Sequence, residues 1–149
     1  MSGRLPALER DALDSAQRAL LERIESGPRG LRGSDTALTG PFGVWLHAPR
    51  LGDATQALGA AVRYAGGLDD ATREVAICTV GAHYRARFEF AVHADLAAAA
   101  GVEAAALETL RRGETPIFAA SGGRNLTVAH RVAEALLRDH GLGDDLYAE

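Results

Sequence analysis

The spacing of apolar residues divides the chain into helical segments separated by Gly- and Pro-rich breaks. Residues 8–26, "LERDALDSAQRALLERIES", carry Leu13, Ala16, Leu20 and Ile24 at intervals of three and four, the repeat of one helix face. "GPRGLRGSDTALTGPFG" follows. Its density of Gly and Pro predicts a loop with at most one helical turn, the irregular wall of a pocket. A second helix is expected from Pro49 to Ala65, with Leu51, Ala54, Leu58 and Val62 on one side and Gly66-Gly67 as its stop. Asp69-Asp70 then offers an N-cap to a helix that Val75, Ala76, Ile77, Cys78 and Val80 cover almost all round. A helix apolar on every side belongs at the centre of a fold.

Further helices are expected over residues 85–100, stopping at Gly101, over residues 103–112, and over "LTVAHRVAEALLRDH", ending at Gly141. Asp144-Asp145 reads as one more helix start, but the chain stops within a turn. Either a frayed end or a natural C-terminal helix beyond Glu149 is consistent with it. No segment alternates like a strand, and no repeat or heptad run is evident. The pattern predicts an all-α subunit of about six helices, with residues 1–149 forming one domain.

Composition narrows the chemistry. A chain of 149 residues can bury one real core, and its 47% apolar content argues against disorder. A net charge of −4 provides no field for nucleic acid or an anionic membrane. The polar start "MSGRLPALER" lacks a signal-peptide core, and no apolar run could cross a bilayer, so a cytoplasmic protein is expected. All sixteen basic residues are arginine, which excludes a Schiff-base lysine and a Walker-type phosphate loop. Cys78 is the one cysteine, so a disulfide, a CxxC redox pair and a cysteine-rich zinc site are excluded within the chain.

The candidate chemistry lies in "RFEFAVHADLAAAAG", residues 87–101. At helical spacing Phe88, Val92, Leu96 and Ala99 form an apolar stripe, bordered by Glu89 and His93. Arg85 precedes Glu89 by four residues and can pair with it, giving an Arg–Glu–His ladder. That ladder suits proton transfer near neutral pH, and it equally suits an exposed helix edge. Glu74, in the first turn of the most apolar helix, is a second candidate, although the helix dipole alone accounts for an anion there. In one straight helix Glu74 and His93 lie about 28 Å apart, at about 1.5 Å per residue. They can meet if the chain reverses around "GAHYR", where Gly81 permits a break, or across a subunit boundary. His83 is expected at that junction and His47 at the pocket wall; His130 and His140 read as ordinary helix-face residues. Glu89 and His93 lack a third and fourth ligand, so no metal is expected. Cys78 reads as a core residue.

Three stretches together resemble the carboxymuconolactone decarboxylase family, which includes the alkylhydroperoxidase-D-like proteins. "GPFGVWLHAPRLGDATQALGAAVRYAGGL" is similar to that family's pocket loop and following helix. "DDATREVAICTVGAHYRARFEFAVHADLAAAAGV" resembles its core helix pair, and "ALETLRRGETP" the helix and loop after it. The peroxidase branch carries Glu-x11-Cys-x2-Cys-x3-His. Here Glu74 and His93 keep the outer spacing while Ala86 and Glu89 occupy the cysteine positions, so hydroperoxide reduction is disfavoured. Ala86, Phe88, Glu89, Phe90 and His93 instead match the decarboxylase-like pattern C/A-x-[FY]-E-[WF]-x-x-H.

The resemblance implies a helical homotrimer or homohexamer that needs no cofactor and acts on a small carboxylate or lactone. His93, Glu89 and Glu74 are then the expected catalytic set. Arg85 and Arg50 are the expected carboxylate clamps, Arg73 a lesser one, and His83, His47, Phe42 and Trp45 the expected pocket lining. The competing expectation is a non-catalytic helical oligomer that binds a small molecule or a partner protein.

Overall fold

The computed structural model describes residues 5–119 and 123–149. Among them every regular element is helical, and no helix is long and apolar enough to cross a membrane. The contacts divide the chain into two units that meet in sequence between Gly67 and Leu68.

The first unit opens with a 3-10 turn, Arg10–Ala12, followed by helix α1, Ser15–Ser26. Asp14 caps α1. Its carboxylate accepts from Gln17 N at 2.8 Å, and its own N–H donates to the Gln17 side chain at 2.9 Å. This reciprocal box satisfies two backbone donors that a helix start leaves unpaired. The helix expected from residue 8 starts at Ser15. Leu20, Leu21 and Ile24 form its buried face, while Leu13 is buried ahead of the helix and Ala16 is exposed, so the predicted face holds only in its second half.

The stretch expected as a loop departs from expectation. It contains a 3-10 turn, Asp35–Leu38, and then helix α2, Gly40–Leu46. Pro41 sits in the first turn, where the missing N–H costs nothing, so the proline that signalled a break starts a helix instead. Helix α3 follows over Pro49–Tyr64. Its expected apolar face is also overturned. Leu51, Leu58 and Val62 are exposed, while Gly52 and Gln56 are buried. Gly52 explains the rotation. A Cβ there would stand 2.6 Å from Trp45 O and 2.8 Å from Leu20 Cδ2, so α3 approaches α1 and α2 through its one bare backbone position.

The second unit is built around helix α4, Asp70–His83, which packs against α5, Arg87–Ala99, α6, Ala104–Arg111, and α7, Gly123–Arg138. A four-residue helix α8, Asp144–Tyr147, closes the described chain. Asp69 caps α4, accepting from Thr72 N at 2.9 Å and Thr72 Oγ1 at 2.8 Å. Val75 and Cys78 of α4 meet Ala97, Val102, Ala106, Leu107 and Leu110 in the core, which bears out the central place on that side. Ala76 and Ile77 are half-buried and Val80 is exposed, so the helix is not covered all round.

The reversal between α4 and α5 is the feature that positions the site. Arg85 N donates to Ala82 O at 3.0 Å and Ala86 N to Gly81 O at 2.9 Å, the two bonds of a Schellman cap. The residue in the left-handed position is Arg85, at φ 52°, where glycine is the usual occupant. Gly81 lies under the returning helix, its missing Cβ 3.5 Å from Phe90 Cα and Cβ. At the far end of α5, Gly101 takes φ 95° and Val102 N bonds Ala97 O, so the helix stops where the sequence predicts.

Candidate active site

The turn through Tyr84–Ala86 folds α5 back along α4 and brings together two side chains 19 residues apart. His93 Nδ1 lies 2.6 Å from Glu74 Oε2. On its other side, His93 Nε2 lies 3.1 Å from Glu89 Oε1, one helical turn earlier on α5. The imidazole is therefore held between two carboxylates. Their environments differ sharply. The Glu74 side chain is 1% exposed, that of His93 14%, and that of Glu89 45%. Glu74 is the fifth residue of α4, a turn deeper than the sequence reading placed it, and it points into the packed side of the helix.

Arg73 completes the group. Its Nε is buried 3.5 Å from Glu74 Oε1 without hydrogen-bond alignment, and its terminal nitrogen pairs with Asp70. An arginine beside a buried carboxylate offsets part of the cost of burying that charge. With Glu74 ionised, Nδ1–H donates to it. Nε2 is then the nitrogen left to exchange a proton, with Glu89 between it and solvent.

The inward face of α5 differs from the expected stripe. Phe90, Ala94 and Ala97 pack on the core, while Phe88, Val92 and Leu96 are exposed. His93 thus borders the packed side because the helix is rotated away from its most apolar face. The Arg85–Glu89 half of the ladder does not form. Arg85 lies in the turn, outside the helix that begins at Arg87, so the four-residue spacing no longer stacks the two side chains.

His83, at the end of α4, is exposed with its ring edge-on to Tyr84 at 4.9 Å. It lines a separate cavity of the second unit with Thr79, His130 and Glu134. The remaining expected residues belong to the first unit. Phe42 and Trp45 pack edge to face at 5.2 Å against its core, with the Arg29 guanidinium 5.6 Å from the Phe42 ring centre. His47 Nε2 lies 3.2 Å from Pro6 O and borders a groove of about 750 Å³ together with Leu5, Leu8, Leu38 and Val44. Arg50 is exposed.

Cys78 is fully buried, and burial, with the Glu74 carboxylate adding to it, pushes its thiol up to about 12. Such a thiol is inert as a nucleophile near neutral pH. His130, read from sequence as an ordinary helix-face residue, is 3% exposed and hydrogen-bonded to Thr79 across α4 and α7. Its signal was present in the apolar neighbours Val128, Ala129 and Ala133, but one helix face cannot show what packs on it. No protein family, curated protein or solved structure matches the chain.

Proposed function

We propose that Glu74, His93 and Glu89 form a cofactor-independent proton-transfer site acting on a small unsaturated lactone or carboxylic acid. This is the decarboxylase-like chemistry implied by the resemblance to the carboxymuconolactone decarboxylase family. The observation that carries the reading is the 2.6 Å contact from His93 Nδ1 to a fully buried glutamate. That contact fixes the ring and aims its second nitrogen away from the core.

In decarboxylation the bond from carbon to the carboxylate breaks, CO2 leaves, and the electron pair moves into the conjugated carbonyl as a dienolate. A proton from His93 Nε2 then goes to carbon, and Glu89 returns a proton from solvent. Glu74 holds the imidazolium that forms after each reprotonation. Arginine is the natural clamp for a substrate carboxylate; Arg73, which adjoins Glu74, takes that role ahead of Arg85, which lies in the turn, and Arg50 stays a candidate. A screen of unsaturated lactone acids for CO2 release tests the reading. Release by the wild-type chain and its loss in His93→Ala are the expected pair; equal release by both rejects it.

A second reading, a non-catalytic helical oligomer, is favoured by one observation. Phe88, Val92 and Leu96 on α5 are 40% to 51% exposed, an apolar surface of the kind that partners cover. It predicts that Glu74, Glu89 and His93 can each be replaced without loss of any activity. Both readings accommodate a homotrimer or homohexamer, and a sizing column tests that assembly. A clean monomer removes any site shared between subunits.

A further inference from the structure

The second unit carries a polar cluster apart from the Glu74–His93 pair, at a cavity of about 60 Å³ between the end of α4 and the C-terminal half of α7. Its centre is His130. Thr79 Oγ1 donates its proton to Val75 O at 2.8 Å, so at His130 Nδ1, 3.1 Å away, the hydroxyl oxygen acts as acceptor. Nδ1 therefore carries the ring proton and Nε2 is left with its lone pair.

That lone pair meets a second acceptor. Glu134 Oε2, one turn along α7, lies 3.3 Å from Nε2 in the same cavity. No protein donor reaches Nε2, which is buried. Two electron-pair donors side by side repel unless a cation comes between them. Their separation is also informative. Ligands about 2.1 Å from one ion, in adjacent tetrahedral or octahedral positions, stand about 3.0–3.4 Å apart. Thr79 supplies the outer contact that metal-bound histidines use to fix their tautomer.

We propose that His130 Nε2 and Glu134 Oε2 bind a divalent first-row transition ion, with the cavity holding its remaining ligands. Among the described residues no three His, Cys, Asp or Glu converge to enclose an ion. The site therefore contributes two protein ligands, and water or a small bound molecule completes the shell. Arg138 opposes it. Its guanidinium occupies Glu134 Oε1 at 2.9 Å and places a positive charge near the ion.

Cobalt(II) alone, titrated into the full chain and followed by visible absorption, tests this. The expected result is a band whose affinity falls at least about tenfold in both His130→Gln and Glu134→Gln, and about tenfold in Thr79→Val, the loss typical when an outer-shell partner is removed. Arg138→Gln should bind several-fold more tightly, and His93→Gln should bind as wild type. Glu134 and Arg138 lie toward solvent, so their variants keep the test valid if His130→Gln fails to fold. No band at millimolar cobalt, a band that follows His93, or binding indifferent to Glu134 and Arg138 overturns the proposal.

Discussion

Glu74 and His93, on antiparallel neighbours α4 and α5, meet through a single 2.6 Å contact in which the carboxylate is 1% exposed and the imidazole 14%. Glu89 reaches the same ring from the solvent side. The two glutamates should therefore respond differently to substitution. Glu74→Gln keeps the shape but loses the charge-assisted bond, and should cost about 1–3 kcal/mol of stability and about 100-fold or more in turnover. Glu89→Gln should slow turnover while changing stability by less than about 0.5 kcal/mol. Chemical denaturation and CO2 release measured side by side check this; equal effects at both positions contradict the assigned roles.

Arg85 holds a left-handed backbone conformation at the α4–α5 turn. A side chain in that region costs about 1–2 kcal/mol relative to glycine, part of which glycine returns as unfolded-state entropy. Arg85→Gly should therefore raise the melting temperature modestly and leave turnover unchanged, since Arg85 makes no pair with Glu89. A loss of turnover with an intact fold would restore Arg85 as a substrate clamp.

Cys78 is closed to solvent, and its thiol is pushed up to about 12. A neutral aromatic disulfide reagent should leave it unmodified in the native protein near neutral pH and react fully once the chain is unfolded. Cys78→Ala should lose no catalytic activity beyond what a small loss of packing causes. Rapid native-state labelling, or peroxide turnover that depends on Cys78, would reopen the hydroperoxide reduction that the missing cysteine pair disfavours.

Asp69 accepts two bonds from Thr72, its backbone N–H first and its hydroxyl second, and these hold its carboxyl below the usual range. A folded-state value below the unfolded one stabilises the protein above the unfolded pKa, and the stabilisation fades as pH falls through the folded value. The wild-type chain should thus lose this contribution only in acid, below about pH 4. Asp69→Ala should be less stable by about 1 kcal/mol at neutral pH, and the difference should shrink toward zero in acid. A difference independent of pH would show that the cap acts through packing alone.

His130 behaves similarly with an imidazole. Its folded pKa is depressed, burial being the first cause, so the unfolded chain binds the proton more readily. Stability should fall as pH drops below about 6.5, the ordinary imidazole value, and this slope should be absent in His130→Gln. Unfolding curves across that range check it.

Most helices were legible in the sequence because they rest on local chemistry: a cap at Asp69, a stop at Gly101, apolar spacing along α1 and α4. The Asp14 cap, inside the stretch expected as helix, and α2, expected as loop, were not. The all-α class follows from those signals alone. The face each helix buries was not always legible. Leu51, Leu58 and Val62 make the most apolar side of α3, yet Gly52 and Gln56 are inside, because a glycine that lets two backbones approach outweighs side-chain hydrophobicity at a close crossing. On α5 the same competition turns Phe88, Val92 and Leu96 outward and Phe90 and Ala97 inward. Residue types and spacing offered the Glu89–His93 pair and, separately, Glu74; the family resemblance joined the three as an expected set. Only the reversal at Arg85, which no periodicity encodes, carried Glu74 from about 28 Å along a straight helix to 2.6 Å from the ring. Tertiary structure alone decided that contact and the burial of His130, because both depend on a second helix packing against the first.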